Sequence, residues 1–177
     1  AEKTGLILAL GAWILKQALQ QGRRFQQLCP EKALGLSVNI SSQQIKQVDF
    51  CRDLASLLQE TDNFPPSSLC LEVTESIFAD VVAGDVIADA RKLGVKIALD
   101  DFGMGSSSLS DLREVAVDIV KLDRKFLDQG QAVPHLSSFI GAVINLAHAA
   151  GLSVTAKGIE TPAQLAAVTE AGVDNVQ

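Results

Sequence analysis

The sequence predicts an α/β chain in which short strands of a parallel sheet alternate with longer helices. Three observations predict it. Six short, mostly β-branched apolar runs recur along the 177 residues, each separated from the next by enough chain for a crossover connection. The runs are nearly continuous in apolar character, as strands covered on both faces are. Most of them close on a polar or charged residue near their C-terminal end, where the loops of a parallel α/β fold gather functional groups.

The elements follow in order. Thr4–Gln21 carries apolar residues at helical spacing and predicts a first helix. "LGLSVNIS" (34–41) is the first strand. Ser42–Glu60 is helical and starts with the cap signal "SSQQ". "LCLEVT" (69–74) is the second strand, reached through the loop "FPPSS" (64–68). Ile77–Leu93 is a helix stopped by Gly94. "VKIALDDF" (95–102) is the third strand. Ser107–Arg113 is a short helix, and "DIVKLD" (118–123) the fourth strand. Pro134–Ala150 starts at a proline and ends before Gly151. "LSVTAKGI" (152–159) is the fifth strand. Thr161–Ala171 has Thr161 as cap and Pro162 in the first helical position. "VDNVQ" (173–177) is the sixth strand. An open doubly wound sheet and a (β/α)8 barrel both accommodate this order. The chain has no GxGxxG and no Walker loop, which counts against a nucleotide-binding open sheet.

Composition narrows the function. Nearly half the residues are apolar and a fifth are charged, the balance of a globular domain with a real core. A net charge of -6 argues against a polymeric nucleic acid as partner. Three cysteines, Cys29, Cys51 and Cys70, are widely spaced and without a CxxC, so reduced thiols in a cytoplasmic protein are expected. The longest strongly apolar stretch, Leu6–Leu15, is too short to span a bilayer, and no membrane contact is expected from this segment. His135 and His148 fall in a predicted helix away from the strand ends and read as surface or packing residues. Trp13 and Phe25 read as core or helix-packing residues, and Gly103 and Gly105 as loop glycines with positive φ.

The strand ends carry the chemistry. They offer Asn39, Glu72, Asp100, Asp101, Lys121, Asp123, Lys157 and Gln177. An amide and three carboxylates are hard oxygen donors, suited to Mg²⁺ or Mn²⁺. Such an ion would turn the repulsion between the adjacent Asp100 and Asp101 into shared attraction, and could activate a water and neutralise a phosphate. Taken singly, a strand-end Asp or Asn is more often a turn former. The recurrence on successive strands is what favours a common site.

"SVNIS", "LEVTES", "ALDDFGMGSSSL", "DIVKLDRKF", "AKGIET" and a late "NVQ" follow one another as the motifs of EAL domains do. The chain resembles that family, the cyclic di-GMP phosphodiesterase domains of bacterial signalling proteins, over essentially its whole length. The resemblance implies a (β/α)8 TIM-barrel-like fold, incomplete here with about six βα units, and hydrolysis of cyclic di-GMP to pGpG with Mg²⁺ or Mn²⁺. It implies that Asn39, Glu72 and Asp100 hold a first metal and that Asp101 serves a second. Lys121 would hold the attacking water or the scissile phosphate. Glu75 would anchor the loop after Asp101, a loop tied to dimerisation. Glu160 and Gln177 match polar positions around the site.

Three departures qualify the resemblance. The segment bearing the Glu-Ala-Leu triplet would precede Ala1, and the family's final loop and helix would follow Gln177. The chain is therefore expected to be a single EAL-like domain over 1–177 lacking both ends of the barrel, with GGDEF or sensory domains attached in a longer protein. Within the chain, "AKGIE" stands where the family has "AEGVE", so that Lys157 replaces a metal-binding glutamate; "GMGSSS" also replaces "GTGYSS", altering Met104 and Ser106. An ammonium a few ångströms from a divalent ion is repelled by several kcal/mol at an effective dielectric of about 20. Lys157 is expected either to pair with Asp100 or Glu72 and impair hydrolysis, or to turn outward and do little. The first outcome implies a cyclic di-GMP receptor or interaction module, the second an active phosphodiesterase.

Overall fold

A computed structural model describes residues 4–32, 34–62, 64–75, 80–102, 116–123 and 136–177, with side chains from residue 140 onward in the last segment. The chain divides between Ile97 and Ala98 into two compact units. The predicted short helix 107–113, Gly103, Met104, Gly105, Ser106 and His135 lie outside the described residues.

The first unit opens with helix α1 (Leu6–Leu28), seven residues longer at its C-terminal end than its apolar spacing predicts. Leu15 and Leu19 are its buried face, and it packs on strand β1 (Leu36–Asn39). The predicted helix 42–60 is two helices, α2 (Ser42–Ile45) and α3 (Phe50–Glu60). The start is as the cap signal predicts. Ser41 Oγ accepts from the Gln44 N–H while Gln44 Oε1 accepts from the Ser41 N–H, a capping box. The break follows at Lys46–Asp49, where Lys46 turns away to pair with Asp80.

Asp80 is also the N-cap of α4 (Val81–Lys92), accepting from the N–H groups of Val82 and Ala83. The hydrogen bond from Lys46 and then that from Ala83 hold its carboxyl below the usual range. Helix α4 is capped at Leu93, with Gly94 at φ 91, the left-handed stop that its sequence predicts. Between α3 and α4 runs strand β2 (Leu69–Thr74), entered through a 3₁₀ turn at Pro66–Ser68. β1 and β2 pair in parallel, and their register sets Leu36 opposite Leu69 and Asn39 opposite Glu72. Phe64, Leu69, Leu71, Val73, Leu54 and Ile87 fill the core of this unit.

Strand β3 (Lys96–Phe102) ends the first unit and runs into the second. There it pairs in parallel with β4 (Ile119–Leu122), β4 with β5 (Ser153–Ala156), and β5 with the short β6 (Asn175–Val176). Helix α5 (Leu136–Ala149) lies against β5, and α6 (Pro162–Glu170) leads into β6. The predicted caps of α6 are present: Thr161 and Gln164 form a capping box, with Pro162 in the first turn. Leu99, Val120, Leu122, Ile144, Val154 and Ala156 are the buried centre.

One expectation is corrected. Trp13 and Phe25 are not core residues: they are 60% and 56% exposed on α1. The helix buries its Leu15–Leu19 stripe instead, and these two aromatic side chains point away from it.

Candidate functional site

Two arrangements of polar side chains stand at strand ends, one in each unit. In the first, Asn39 is the last residue of β1 and faces Glu72 directly across the parallel ladder. The next residue, Ile40, donates its N–H to the Glu72 carbonyl and so carries the ladder one step past the strand. Glu72 is only 4% exposed, between the buried Leu71 and Val73. Glu75 follows directly on β2, its Oε2 sealed from solvent.

The second arrangement departs from regular strand geometry. In an unbroken strand Asp100 and Asp101 would project to opposite faces. They do not, because β3 carries a bulge. Leu99 pairs with Val120 and Phe102 pairs with Leu122, so Asp100 and Asp101 together stand opposite the single residue Lys121. Asp101 takes the extra step with φ 54, a left-handed conformation that aspartate tolerates better than most residues. Its own N–H donates to Asp100 Oδ1 at 3.0 Å, which locks the corner.

The bulge brings both carboxylates to one cation. Lys157 Nζ lies 2.7 Å from Asp100 Oδ1 and 3.0 Å from Asp101 Oδ1. Lys157 leaves the sheet just after β5, its backbone N–H donating to the Leu122 carbonyl of β4. Its side chain thus crosses β4 to reach β3, two strands or about 9–10 Å away. Burial works against the charged amine; the hydrogen bonds to the two carboxylates and their fields outweigh it and raise the Lys157 pKa above the ordinary lysine value. Asp100, at 8% exposure, is the buried partner, and Asp101 the half-exposed one.

Four further predicted residues, Lys121, Asp123, Gln177 and Glu160, lie in the same unit. Lys121 is 4% exposed in β4, opposite the bulge on one side and Thr155 on the other. Asp123 follows β4 directly and is partly exposed. Gln177 is tied by its backbone to the Lys157 segment: its N–H donates to the Ala156 carbonyl and its carbonyl accepts from the Ile159 N–H. Glu160 is exposed in the turn before α6, its N–H donating to Gln164 Oε1. His148 is not at a strand end, as expected. Its Nε2 lies 2.9 Å from Asp174 Oδ2, a pairing no motif in the sequence announced.

The donor chemistry bears on a metal. Asn39 and Glu72 offer the amide and carboxylate oxygens that a hard divalent ion takes. The carboxylates of Asp100 and Asp101 already share an ammonium, and that donor set does not fit a divalent ion while Lys157 is charged. Among the described residues, no three His, Cys, Asp or Glu side chains group as a metal-binding cluster. No helix among them is long and apolar enough to cross a membrane.

Comparison with known proteins fixes the family. The EAL domain profile matches residues 1–177. The chain belongs to the EAL domain family. It is 38% identical to the signaling protein YkoW of Bacillus subtilis and 35% identical to the cyclic di-GMP phosphodiesterase PdeR of Escherichia coli, in each case over all of this chain. It spans only 22% and 27% of those relatives' lengths. Among solved structures, the PaMucR phosphodiesterase in complex with c-di-GMP superposes with a TM-score of 0.91 at 31% identity, covering all of this chain and 72% of the other. The fold of this EAL domain is accordingly α/β and TIM-barrel-like, with six parallel strands of an incomplete barrel among the described residues.

Proposed function

We propose that this EAL domain is a cyclic di-GMP signalling domain whose hydrolytic step is impaired, and that it works in the cytoplasm as a cyclic di-GMP receptor or interaction module of a longer protein with GGDEF or sensory domains. The observation that carries the reading is the position of Lys157 Nζ, within 3.0 Å of both Asp100 and Asp101. EAL domains are divalent-metal enzymes as a family, and in that role these two aspartates would hold Mg²⁺ or Mn²⁺. Here a side chain of the protein supplies the positive charge instead. The ammonium neutralises part of the carboxylate charge but has no open coordination position, so it cannot lower the pKa of a water or polarise a phosphate as a bound ion does.

Binding is a separate matter from turnover. The lysine side chains that the second unit places at its strand ends, Lys121 and Lys157, can attract a dinucleotide phosphate without any metal. Gln177, in the same unit, supplies an amide that needs no ion to act. That relatives such as PdeR are named phosphodiesterases favours the other reading, an active enzyme in which a different residue takes the glutamate's part.

Two measurements on the full-length domain separate the readings. Formation of pGpG with Mn²⁺ is followed for the wild type and for Lys157→Glu, and cyclic di-GMP is titrated calorimetrically in EDTA. The proposal expects negligible turnover by the wild type, gain of turnover in Lys157→Glu, and binding that survives EDTA. Substantial wild-type turnover would defeat it in favour of the active enzyme.

A further inference from the structure

Away from the strand ends, the first unit holds an open polar cleft of about 190 Å³ between the C-terminal half of α1 and the end of α3. Arg23 and Arg24 of α1 line it, with Gln20 and Gln27 one turn to either side, and Thr61 and Asp62 close the opposite wall. The lining is rich in donors. Gln20 Oε1 already accepts from Gln17 Nε2 at 3.2 Å, which leaves the N–H groups of that amide to donate. Thr61 spends its hydroxyl proton on the Leu57 carbonyl at 2.8 Å. Glu60, also at the rim, has Lys16 as counter-ion at 3.7 Å.

The two arginines have no such use. Among the described residues neither makes an ion pair or a hydrogen bond, and Arg23 Nε is sealed from solvent without a partner. A charged donor held in that way costs more than a neutral one. With Glu60 balanced by Lys16, two guanidinium groups face one carboxylate, Asp62, and the cleft carries a net positive charge.

We propose that this cleft is a binding site for a small oxyanion, a carboxylate or a phosphate group, held by Arg23 and Arg24. The planar guanidinium fork matches both groups in bidentate geometry, and the amides of Gln20 and Gln27 flank the position an anion would take. Asp62 limits the charge the cleft accepts and favours a singly charged group. The site is independent of the cyclic di-GMP reading, since none of its residues belongs to the strand-end arrangements.

The test is calorimetric titration of the chain with inorganic phosphate and, separately, with acetate, at constant ionic strength. Wild type is compared with Arg23→Gln, Arg24→Gln and Asp62→Asn, and a thermal melt confirms that each variant is folded. One-site binding is expected, weakened about tenfold by either arginine substitution, the loss of one charge-assisted pair of bonds, and tightened in Asp62→Asn. Heat with phosphate alone assigns the site to phosphate groups; heat with acetate alone assigns it to carboxylates. No heat with either anion, or undiminished binding in Arg24→Gln, overturns the proposal. Arg24 is exposed, so its substitution remains decisive even if Arg23→Gln fails to fold.

Discussion

The strand ends of the two units solve the same problem in opposite ways. At β1 and β2, Asn39 and Glu72 meet because a regular parallel ladder puts them opposite each other. At β3 to β5, Asp100, Asp101 and Lys157 meet because the ladder is broken. Regular register places one side chain per strand on a face. A bulge with one left-handed residue places two neighbours on the same face, and two adjacent carboxylates then require a cation. The first end depends on pairing that survives most substitutions. The second depends on the left-handed turn at Asp101 and on the ammonium of Lys157.

The largest effect is expected where that dependence is greatest. Lys157→Glu removes the cation and sets a third carboxylate beside Asp100 and Asp101. Removing one member of a largely buried ion pair costs roughly 3 kcal/mol. In EDTA the variant should melt well below the wild type, and Mn²⁺ should recover much of the loss while leaving the wild-type melting temperature in place. An equal Mn²⁺ response in both proteins would mean that Lys157 does not stand in for an ion, and the contrast between the two ends would lose its electrostatic half.

The backbone half is tested at Asp101. Asp101→Asn keeps a residue that tolerates the left-handed region and retains the bulge. Asp101→Val puts a β-branched side chain at φ 54 and should be less stable than Asp101→Asn by about 1–2 kcal/mol. Both variants lose the carboxylate charge, so the difference between their denaturant midpoints reports the strain together with the Lys157 hydrogen bond that the asparagine amide can retain. Equal midpoints would show that the corner relaxes freely and that the bulge does not fix the aspartates.

How much of this was legible beforehand follows from the same contrast. Asn39 and Glu72 could be read from the sequence because alternation and register are properties of residue order. The helix caps at Ser41 and Thr161 were legible for the same reason: both are local patterns. The pairing of Lys157 with Asp100 was open to anticipation from charge alone. The bulge was not, since nothing in "LDDF" distinguishes a strand that continues from one that gains a step, and the choice is made by pairing with β4. The break at Lys46–Asp49 was hidden likewise, because the Lys46–Asp80 pair that accompanies it joins residues far apart in sequence. Trp13 and Phe25 misled because helical spacing reports a face and not what covers it.

The regular end can be perturbed through the helix that follows it. A Cβ on Gly11 of α1 would stand 2.1 Å from Gln44 Nε2. Gln44 is buried, and its Oε1 is committed to Ser41 in the capping box just after β1. Gly11→Ala gains up to about 1 kcal/mol of helix propensity. Displacing Gln44 costs about 1 kcal/mol for the cap and 1–3 kcal/mol for overpacking. The sum is a net loss of about 1–3 kcal/mol, visible as a lowered melting temperature, with the effect of Lys157→Glu superimposed unchanged. A loss in the double variant much greater than the sum of the two would show that the ends are energetically coupled.

The smallest effect is a pH dependence that belongs to the second unit. Asp174 accepts from the Val154 N–H at 2.7 Å and from His148, and these bonds, the backbone one first, hold its carboxyl below the usual range. A carboxyl lowered in the folded state stabilises that state above its unfolded value, about 3.9, and the contribution is lost as the pH falls through the lower folded value. The group is partly exposed, so the effect is modest. Below about pH 4 the Val154 amide should therefore exchange faster relative to its neighbours in the wild type, whereas Asp174→Asn should show that faster exchange already at neutral pH and little further change on acidification. If wild type and variant change in parallel, the Asp174 clamp does not hold β5.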